Sequence, residues 1–461
     1  MKTLLSYIFP FKLYLNIFQL EEYNFIRFGK WLIHHFFKRN LEIKRPLKVT
    51  LRIKLIVALS IFWGILLPTI AFFIYENIFV SLIILFILFG QPYMLFFIAL
   101  LPLKPYEAVR HFSVIKKNRK LILSNKKLKV IAITGSFGKS SVKEILYQMM
   151  KNTYKTLRTP ESFNTVLGIN KFLAYEFDSG YEYLICEMAA YQKGEIKELC
   201  HMVPPTYGIL TGITEQHLER FGSLKNIVSA KFELSDFVSN PDAMVFNTYN
   251  QNVANELQKR NIKYKERVEI RNIKFNKNGC NFTIITGGKR YPAKSALFGM
   301  SQIKNIQLAS EMALKIGMSP SEIVRQINQL TPPPSRSTIK FIDNCQIVDN
   351  TFSSNIESFK EIIETAKRIK GRKMLITPGI VELGKDEARV HEELGKSVSE
   401  IFDKTILVGK NTRTFALAKG IGKKSPIEFI DDSRDQFNSM IMKYSKTYDF
   451  IFLENDLTQN Y

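Results

Sequence analysis

Residues 130–144 read Val-Ile-Ala-Ile-Thr-Gly-Ser-Phe-Gly-Lys-Ser-Ser-Val-Lys-Glu: an apolar run, a turn punctuated by Gly135 and Gly138, then a helix start. Val142, Ile145, Leu146, Met149 and Met150 recur at i, i+3, i+4, i+7 and i+8, which predicts an amphipathic helix directly after the turn. A strand, a glycine turn and a helix in that order demand a sheet with helices packed on it. They also place backbone N–H groups and the positive end of a helix dipole at one spot. Lys139 adds a point charge and Ser140 a hydroxyl suited to Mg²⁺. Thr134, Gly135, Ser136, Phe137, Gly138, Lys139, Ser140 and Ser141 are therefore assigned to nucleotide phosphates. Ile133 stands where the longer form of this loop has its first glycine, so the motif here is the short G-x-x-G-K-S.

The chain after residue 128 continues the alternation. Apolar runs at 130–133, 183–186 and 207–210 are separated by helical stretches, which predicts a parallel sheet. Between 240 and 299 the pattern turns β-rich, with Asn278-Gly279 as a hairpin signal. Ser319-Pro320-Ser321-Glu322 reads as a capping box that opens a helix ending near Leu330, and Pro332, Pro333 and Pro334 then mark a boundary. Runs at 346–348, 374–376, 405–408, 427–430 and 450–453 predict a second, smaller α/β domain. Cys186, Cys200, Cys280 and Cys345 lack metal-site or disulfide spacing and read as reduced thiols.

A net charge of +23 raises two classes of partner, nucleic acid and an anionic lipid surface. The basic residues cluster around apolar spans, which favours membrane lipid and argues against nucleic acid. Residues 1–54 carry eleven Lys and Arg interleaved with aromatics, as at a membrane interface; an amphipathic helical pair packed on the body would read the same way. Residues 55–75 are uncharged, about 31 Å as a helix, and 78–101 form a second uncharged run. With Lys and Arg flanking both ends of the pair and none at its tip, the expectation is a multi-pass segment of the cell membrane with the catalytic body in the cytoplasm. The expected domains are an interfacial segment (1–54), two transmembrane helices (55–101), a basic linker (102–127), a central ATP-binding domain (128–330) and a C-terminal domain (335–461).

At the carboxyl ends of the predicted strands stand the phosphate loop, Glu187 and, after "TYGILTGITEQ", His217. A hydroxyl, a carboxylate and an imidazole beside phosphates can hold Mg²⁺. These strings together resemble the Mur ligase family, closest to its D-alanyl-D-alanine-adding branch. "ITGSFGKSSVKE" is similar to the family's ATP loop, "CEMAAYQKGEIKELC" to its E-M-G/A…G-E-I segment, and "TGITEQHLERFGSLKNIVSAKFEL" to its N-V-x-x-x-H-L-x-x-F-G-S…A-K segment. The resemblance makes Ser140, Glu187 and His217 metal ligands, and Lys231 a carbamylated lysine at a second Mg²⁺. Without it, Lys231 reads as a solvated helix residue.

The same resemblance assigns Thr159 and Asn164 of "LRTPESFNTVLGI" and His391 to the substrate. It places Asn305 of "FGMSQIKNIQLAS" near the base, with Ser301 and Gln302 departing from the family's His and Asn. Arg336 would reach the ATP phosphates and Asp349 the ribose. Lys139, His217, Lys231 and Arg336 carry the implied catalysis.

The implied protein is α/β: a P-loop parallel-sheet ATPase domain and a smaller Rossmann-like C-terminal domain, preceded by a transmembrane helical hairpin. The implied activity is an ATP- and Mg²⁺-dependent, ADP-forming amide ligase. It would join an amino acid or dipeptide to a carboxylate-bearing cell-wall precursor. The resemblance does not cover the front of the chain. A ligase for another polymer, such as poly-glutamate or a cyanophycin-like chain, and a nucleotide-binding scaffold without turnover remain as alternatives.

Overall fold

The computed structural model describes residues 11–21, 23–35, 47–90, 93–160, 163–215, 218–332, 338–350, 355–381, 383, 386–431 and 434–455. The chain divides into two compact units, residues 1–113 and 114–459.

In the larger unit, β1 (Lys129–Thr134), β2 (Thr156–Arg158), β3 (Tyr183–Glu187), β4 (Tyr207–Leu210) and β5 (Met244–Phe246) form a parallel sheet in the order β2-β3-β1-β4-β5. Residues 130–134 of β1 are all buried, because helices cover both faces. Ile131 and Ile133 point into one core with Val142, Ile145, Leu146 and Met149 of the helix Lys139–Met150. Val130 and Ala132 point into the other with Leu184, Phe172 and Phe232. Burying each large apolar side chain of that helix contributes on the order of 2 kcal/mol. Strand order reverses around β1, so the carboxyl ends of β1, β3 and β4 frame the crevice where ligands of such sheets collect.

The β-rich stretch is an antiparallel meander, β6 (Glu269–Asn276), β7 (Gly279–Thr286) and β8 (Lys289–Ser295). Asn276 pairs with Gly279, so the first turn is Lys277-Asn278, one residue before the expected Asn278-Gly279. Gly287 and Gly288, at φ 55° and 75°, make the second turn.

The C-terminal sheet runs β13 (Ile427–Ile430), β12 (Lys404–Val408), β11 (Lys373–Thr377), β14 (Phe450–Glu454), β10 (Cys345–Asn350), β9 (Thr338–Ile342). Five strands follow the sequence reading. β9 is an additional antiparallel edge strand, paired with β10 through a turn at Asp343-Asn344.

The expected capping box is half formed. Ser319 Oγ accepts from the N–H of Glu322 at 3.3 Å, but Glu322 reaches Thr153 Oγ1 at 2.6 Å rather than back to Ser319. The helix itself covers Pro320–Ile327. Pro333 and Pro334 lie outside the described residues.

In the smaller unit the front of the chain departs from expectation. Among the described residues one helix, Leu51–Tyr75, is long and apolar enough to cross a membrane. The second uncharged run is not one straight helix: it divides into Ile78–Gly90 and a 32-residue helix Tyr93–Ser124, bent by 87°. In the sequence, Gln91-Pro92 lies between the two helices, and proline supplies no N–H and biases its predecessor away from helix. The basic linker expected at 102–127 is thus mostly helix, running through Pro102 and Pro105. The aromatics assigned to a lipid interface pack on one another. Phe18, Phe28 and Phe96 are fully buried, and Phe25 stacks on Phe97 at 4.0 Å. A two-span hairpin and a multi-pass placement do not follow from this architecture.

Candidate active site

Gly135 and Gly138 are the positions where glycine is required. Their φ values are 150° and 76°, and a Cβ on Gly135 would lie 2.2 Å from Thr211 Oγ1. The loop is strapped to the segment after β4: Ser136 N–H donates to Gly212 O at 2.7 Å, and Thr211 Oγ1 donates to Phe137 O. Gly138 starts the helix without a side-chain cap, which leaves first-turn N–H groups to the loop's concave side. Lys139 Nζ donates to Gly135 O at 2.8 Å and Ser136 O at 3.3 Å. Thr134 Oγ1 donates to Met188 O at 2.9 Å, joining the end of β1 to the residue after β3. Ser141 is buried one residue further along the helix, and Asn305 Oδ1 would lie 3.0 Å from a Cβ on Gly138.

Glu187, the last residue of β3, is 3% exposed and almost fully engaged. Its Oε2 accepts from Ser140 Oγ at 2.7 Å and from Lys143 Nζ at 3.0 Å; its Oε1 accepts from Asn164 Nδ2 at 3.1 Å. Its N–H donates to Thr159 Oγ1 at 3.0 Å. Burial by itself would raise this carboxyl. Lys143 foremost, then Lys139 and the hydrogen bonds from Ser140 and Asn164, outweigh it and hold the group below the usual carboxylate range. Thr159 and Asn164, assigned to substrate, are here the groups that orient Glu187. The donor set beside the loop is a hydroxyl and a carboxylate. Hard oxygens of this kind fit Mg²⁺ once phosphate oxygens and water complete the shell. Among the described residues no group of three His, Cys, Asp or Glu forms a metal site of its own.

Lys231 is not solvated. On the helix Leu224–Phe237 it is 4% exposed, and its Nζ donates to Ala190 O at 3.1 Å. Burial, then the charge of Lys139, push its ammonium down to about 7 against the pull of Glu195 and Glu233. Near neutrality much of it is therefore the free amine.

The C-terminal domain treats its assigned residues differently. Asp349 sits on β10 with Lys340 Nζ 3.8 Å away. His391 is fully buried, with its Nδ1 bonded to Glu387 O at 2.6 Å and its Nε2 accepting from Ile380 N–H at 2.8 Å. Both ring nitrogens serve the backbone, and burial lowers the imidazole pKa. A substrate role for His391 is what the resemblance implies; in this structure both of its ring nitrogens are engaged by backbone. Glu454, at the carboxyl end of β14, is likewise buried; Asn350 Nδ2 and Ser358 Oγ donate to it, and burial pushes it up to about 8. The two α/β domains are tied by Lys304 Nζ to Glu361 Oε1 at 2.9 Å and Met300 N–H to Thr365 Oγ1 at 2.9 Å. His217 and Arg336 lie outside the described residues.

Residues 133–313 match the model of the Mur ligase middle domain. The chain carries a Mur ligase middle domain. The UDP-N-acetylmuramoyl-tripeptide–D-alanyl-D-alanine ligase of Escherichia coli (strain K12) is 24% identical over 306 residues, 64% of this chain and 68% of that enzyme. Crystal structure I of MurF from Acinetobacter baumannii superposes with a TM-score of 0.65 at 23% identity, over 76% of this chain and 78% of its own. MurF ligase from Thermotoga maritima in complex with ADP gives 0.65 at 23%, over 76% and 81%. The fold is therefore that of the Mur ligases, as the motifs implied. These likenesses also count against the expected multi-pass localisation, since they run over about three quarters of the chain to MurF structures rather than to a multi-pass membrane protein.

Sequence reading missed two members of the site, Lys143 and Thr211, and the buried Glu454 of the C-terminal domain. Lys143 had a usable signal, because it stands three residues after Ser140 and so shares its helix face.

Proposed function

We propose that this Mur ligase domain protein is an ATP-dependent, ADP-forming amide ligase that adds D-alanyl-D-alanine to a muramoyl-tripeptide precursor. The observation carrying this reading is the meeting of a phosphate loop, Ser140 and an ionised Glu187 in one crevice, with Lys231 buried nearby and close to half-neutral. The loop's N–H groups and Lys139 grip the β- and γ-phosphates. The γ-phosphoryl group passes to a carboxylate oxygen, giving an acyl phosphate and ADP. The amine nitrogen then attacks the acyl carbon, phosphate leaves with the C–O electron pair, and the nitrogen loses a proton. Such a reaction depends on positioning and charge neutralisation more than on an acid–base pair.

Mg²⁺, when bound, neutralises the transferring phosphoryl oxygens. Ser140, Glu187 and His217 would hold it, with Lys231 as a carbamate at a second ion. The free amine of Lys231 is the form that reacts with CO₂. Arg336 would reach the phosphates, Asn305 the base and Asp349 the ribose.

The test is ADP release by purified protein supplied with ATP, Mg²⁺, UDP-N-acetylmuramoyl-tripeptide and D-alanyl-D-alanine, with mass spectrometry of the product. Release that requires both substrates, with a product of the summed mass less water, is the expected result. Release indifferent to either substrate, or none at all, overturns the reading.

A further inference from the structure

A cavity of about 1000 Å³ lies along β5, the edge strand of the central sheet, and takes no part in the reaction outlined above. Its walls include the segment 262–269, the Gly287-Gly288 turn of the meander and the end of the helix Met300–Lys315. Along 262–268 the side chains alternate. Lys263, Lys265 and Arg267 are exposed, while Ile262, Tyr264, Glu266 and Val268 are partly or fully covered, so the three cations stand together at the rim. Among the described residues none of the three makes a side-chain hydrogen bond or an ion pair. Lys315 is the fourth cation, half-buried at the inner wall. Its Nζ donates to Asp242 O at 2.7 Å and stands 5.7 Å from the centre of the Tyr264 ring. Burial, then the charge of Arg267, hold its ammonium below the ordinary lysine value. Two of the carboxylates at this cavity are already engaged. Glu266 accepts from Thr248 Oγ1 and, at 3.1 Å, from Gln307 Nε2, and Glu269 pairs with Arg271 at 2.5 Å. Asp242 is exposed.

Cations without partners around a concavity of this size attract an anion. The cavity also has a place for a ring. Phe246 and Tyr264 meet edge to face at 5.3 Å, with Ile262 and Leu314 beside them. Tyr249 is 55% exposed while Gln307 Nε2 donates to its hydroxyl at 3.3 Å, so an anchored aromatic ring is open to a ligand. We propose that this cavity is a second ligand site, separate from the phosphate loop, which takes a small planar ring carrying a phosphate. The phosphate meets Lys263, Lys265, Arg267 and Lys315, and the ring lies against Tyr249 and Tyr264. None of the lining residues belongs to the phosphate loop, and β5 stands two strands, about 10 Å, from β1.

The test is reductive labelling of the full chain with pyridoxal 5′-phosphate, used as a probe because it joins a planar ring to a phosphate. Its aldehyde condenses with a lysine amine, losing water, and borohydride reduces the resulting imine. Peptide mass spectrometry then locates the label. Two partial probes run beside it: pyridine-4-carbaldehyde, which has the ring alone, and glyceraldehyde 3-phosphate, which has the phosphate alone. Each is scored relative to its own label on the exposed Lys151. On that scale pyridoxal 5′-phosphate should label Lys315 about tenfold more than either partial probe, because only it makes both the charged and the ring contacts. Tyr249→Ala combined with Arg267→Ser should lower the label on Lys315 about fivefold and leave Lys151 unchanged. Equal labelling of Lys315 by the whole probe and by either partial one overturns the proposal. That comparison uses the wild type alone, which covers the case of a double variant that fails to fold. Absence of label on Lys263, Lys265 and Lys315 also overturns it, as does a folded double variant that labels like the wild type.

Discussion

Glu187 closes β3 of the central sheet and Glu454 closes β14 of the C-terminal sheet, both almost without solvent contact, and their charge states are opposite. Glu187 is pulled down by Lys143 and Lys139, whereas Glu454 has the neutral donors Asn350 and Ser358 and is pushed up to about 8. Burial is common to both, so burial does not decide ionisation here; the neighbouring cations do. One sheet end is built to keep a negative charge and the other to keep a carboxylic acid neutral.

The most severe way to break the charged end is Lys139→Ala. Loss of the ammonium at the phosphates should lower ADP production about a thousandfold, a transition-state loss of roughly 4 kcal/mol. Near-wild-type turnover in a steady-state assay would remove the loop from the chemistry.

Glu187→Gln against Glu454→Gln tests the contrast directly. The first leaves Lys143 buried without its anion and should destabilise the larger unit by about 3 kcal/mol. The second replaces a neutral acid with a neutral amide and should cost under about 1 kcal/mol at pH 7. Urea unfolding of both variants measures this, and equal losses would erase the distinction.

Lys231→Ala should lower activity about a hundredfold, and added acetate or another short carboxylate should restore part of it. An active variant with no response to acetate would return Lys231 to a purely structural position.

The smallest effect expected is in pH dependence, and its sign differs between the two ends. Glu454 has a raised pKa, so its contribution to stability is complete below the unfolded value near 4.5 and is lost as pH rises through about 8. Glu187 has a lowered pKa, so its contribution is present above about 4.5 and is lost as pH falls through its folded value. Unfolding free energies measured from about pH 2 to about pH 9 should therefore flatten on the rise towards pH 8 in Glu454→Gln and at the acid end, below about pH 4.5, in Glu187→Gln. Superimposable profiles for the two variants would contradict the assignment.

How far the sequence could be read depended on whether a signal was local. The phosphate loop was legible because strand, glycines, lysine and helix periodicity occupy twenty-one consecutive residues, 130–150. Five C-terminal strands were legible as apolar runs, while β9, with Lys340 and an exposed Phe341 on an edge, carried no such run. The second apolar run reads as one straight span because hydropathy counts residues without asking whether the backbone stays straight, and here it bends by 87°. Lys231 looked solvated because its environment is made by a segment far away in the chain, with Ala190 O accepting from its ammonium.

Gly135 leads to a consequence for the history of the chain rather than its chemistry. With Thr211 Oγ1 2.2 Å and Gly212 O 2.9 Å from where a Cβ would be, even alanine has no room there. At Gly194, Gly222, Gly287 and Gly288 nothing stands within 4 Å of the added carbon, and only the backbone angle resists substitution. Drift should accordingly be frozen at Gly135 and merely slowed at the other four. A randomised library selected for nucleotide binding should return glycine alone at 135, while asparagine and aspartate, which tolerate positive φ, return at the open turns. The phosphate loop therefore shares its fate with Thr211 and Gly212, and neither segment can be replaced by descent without the other.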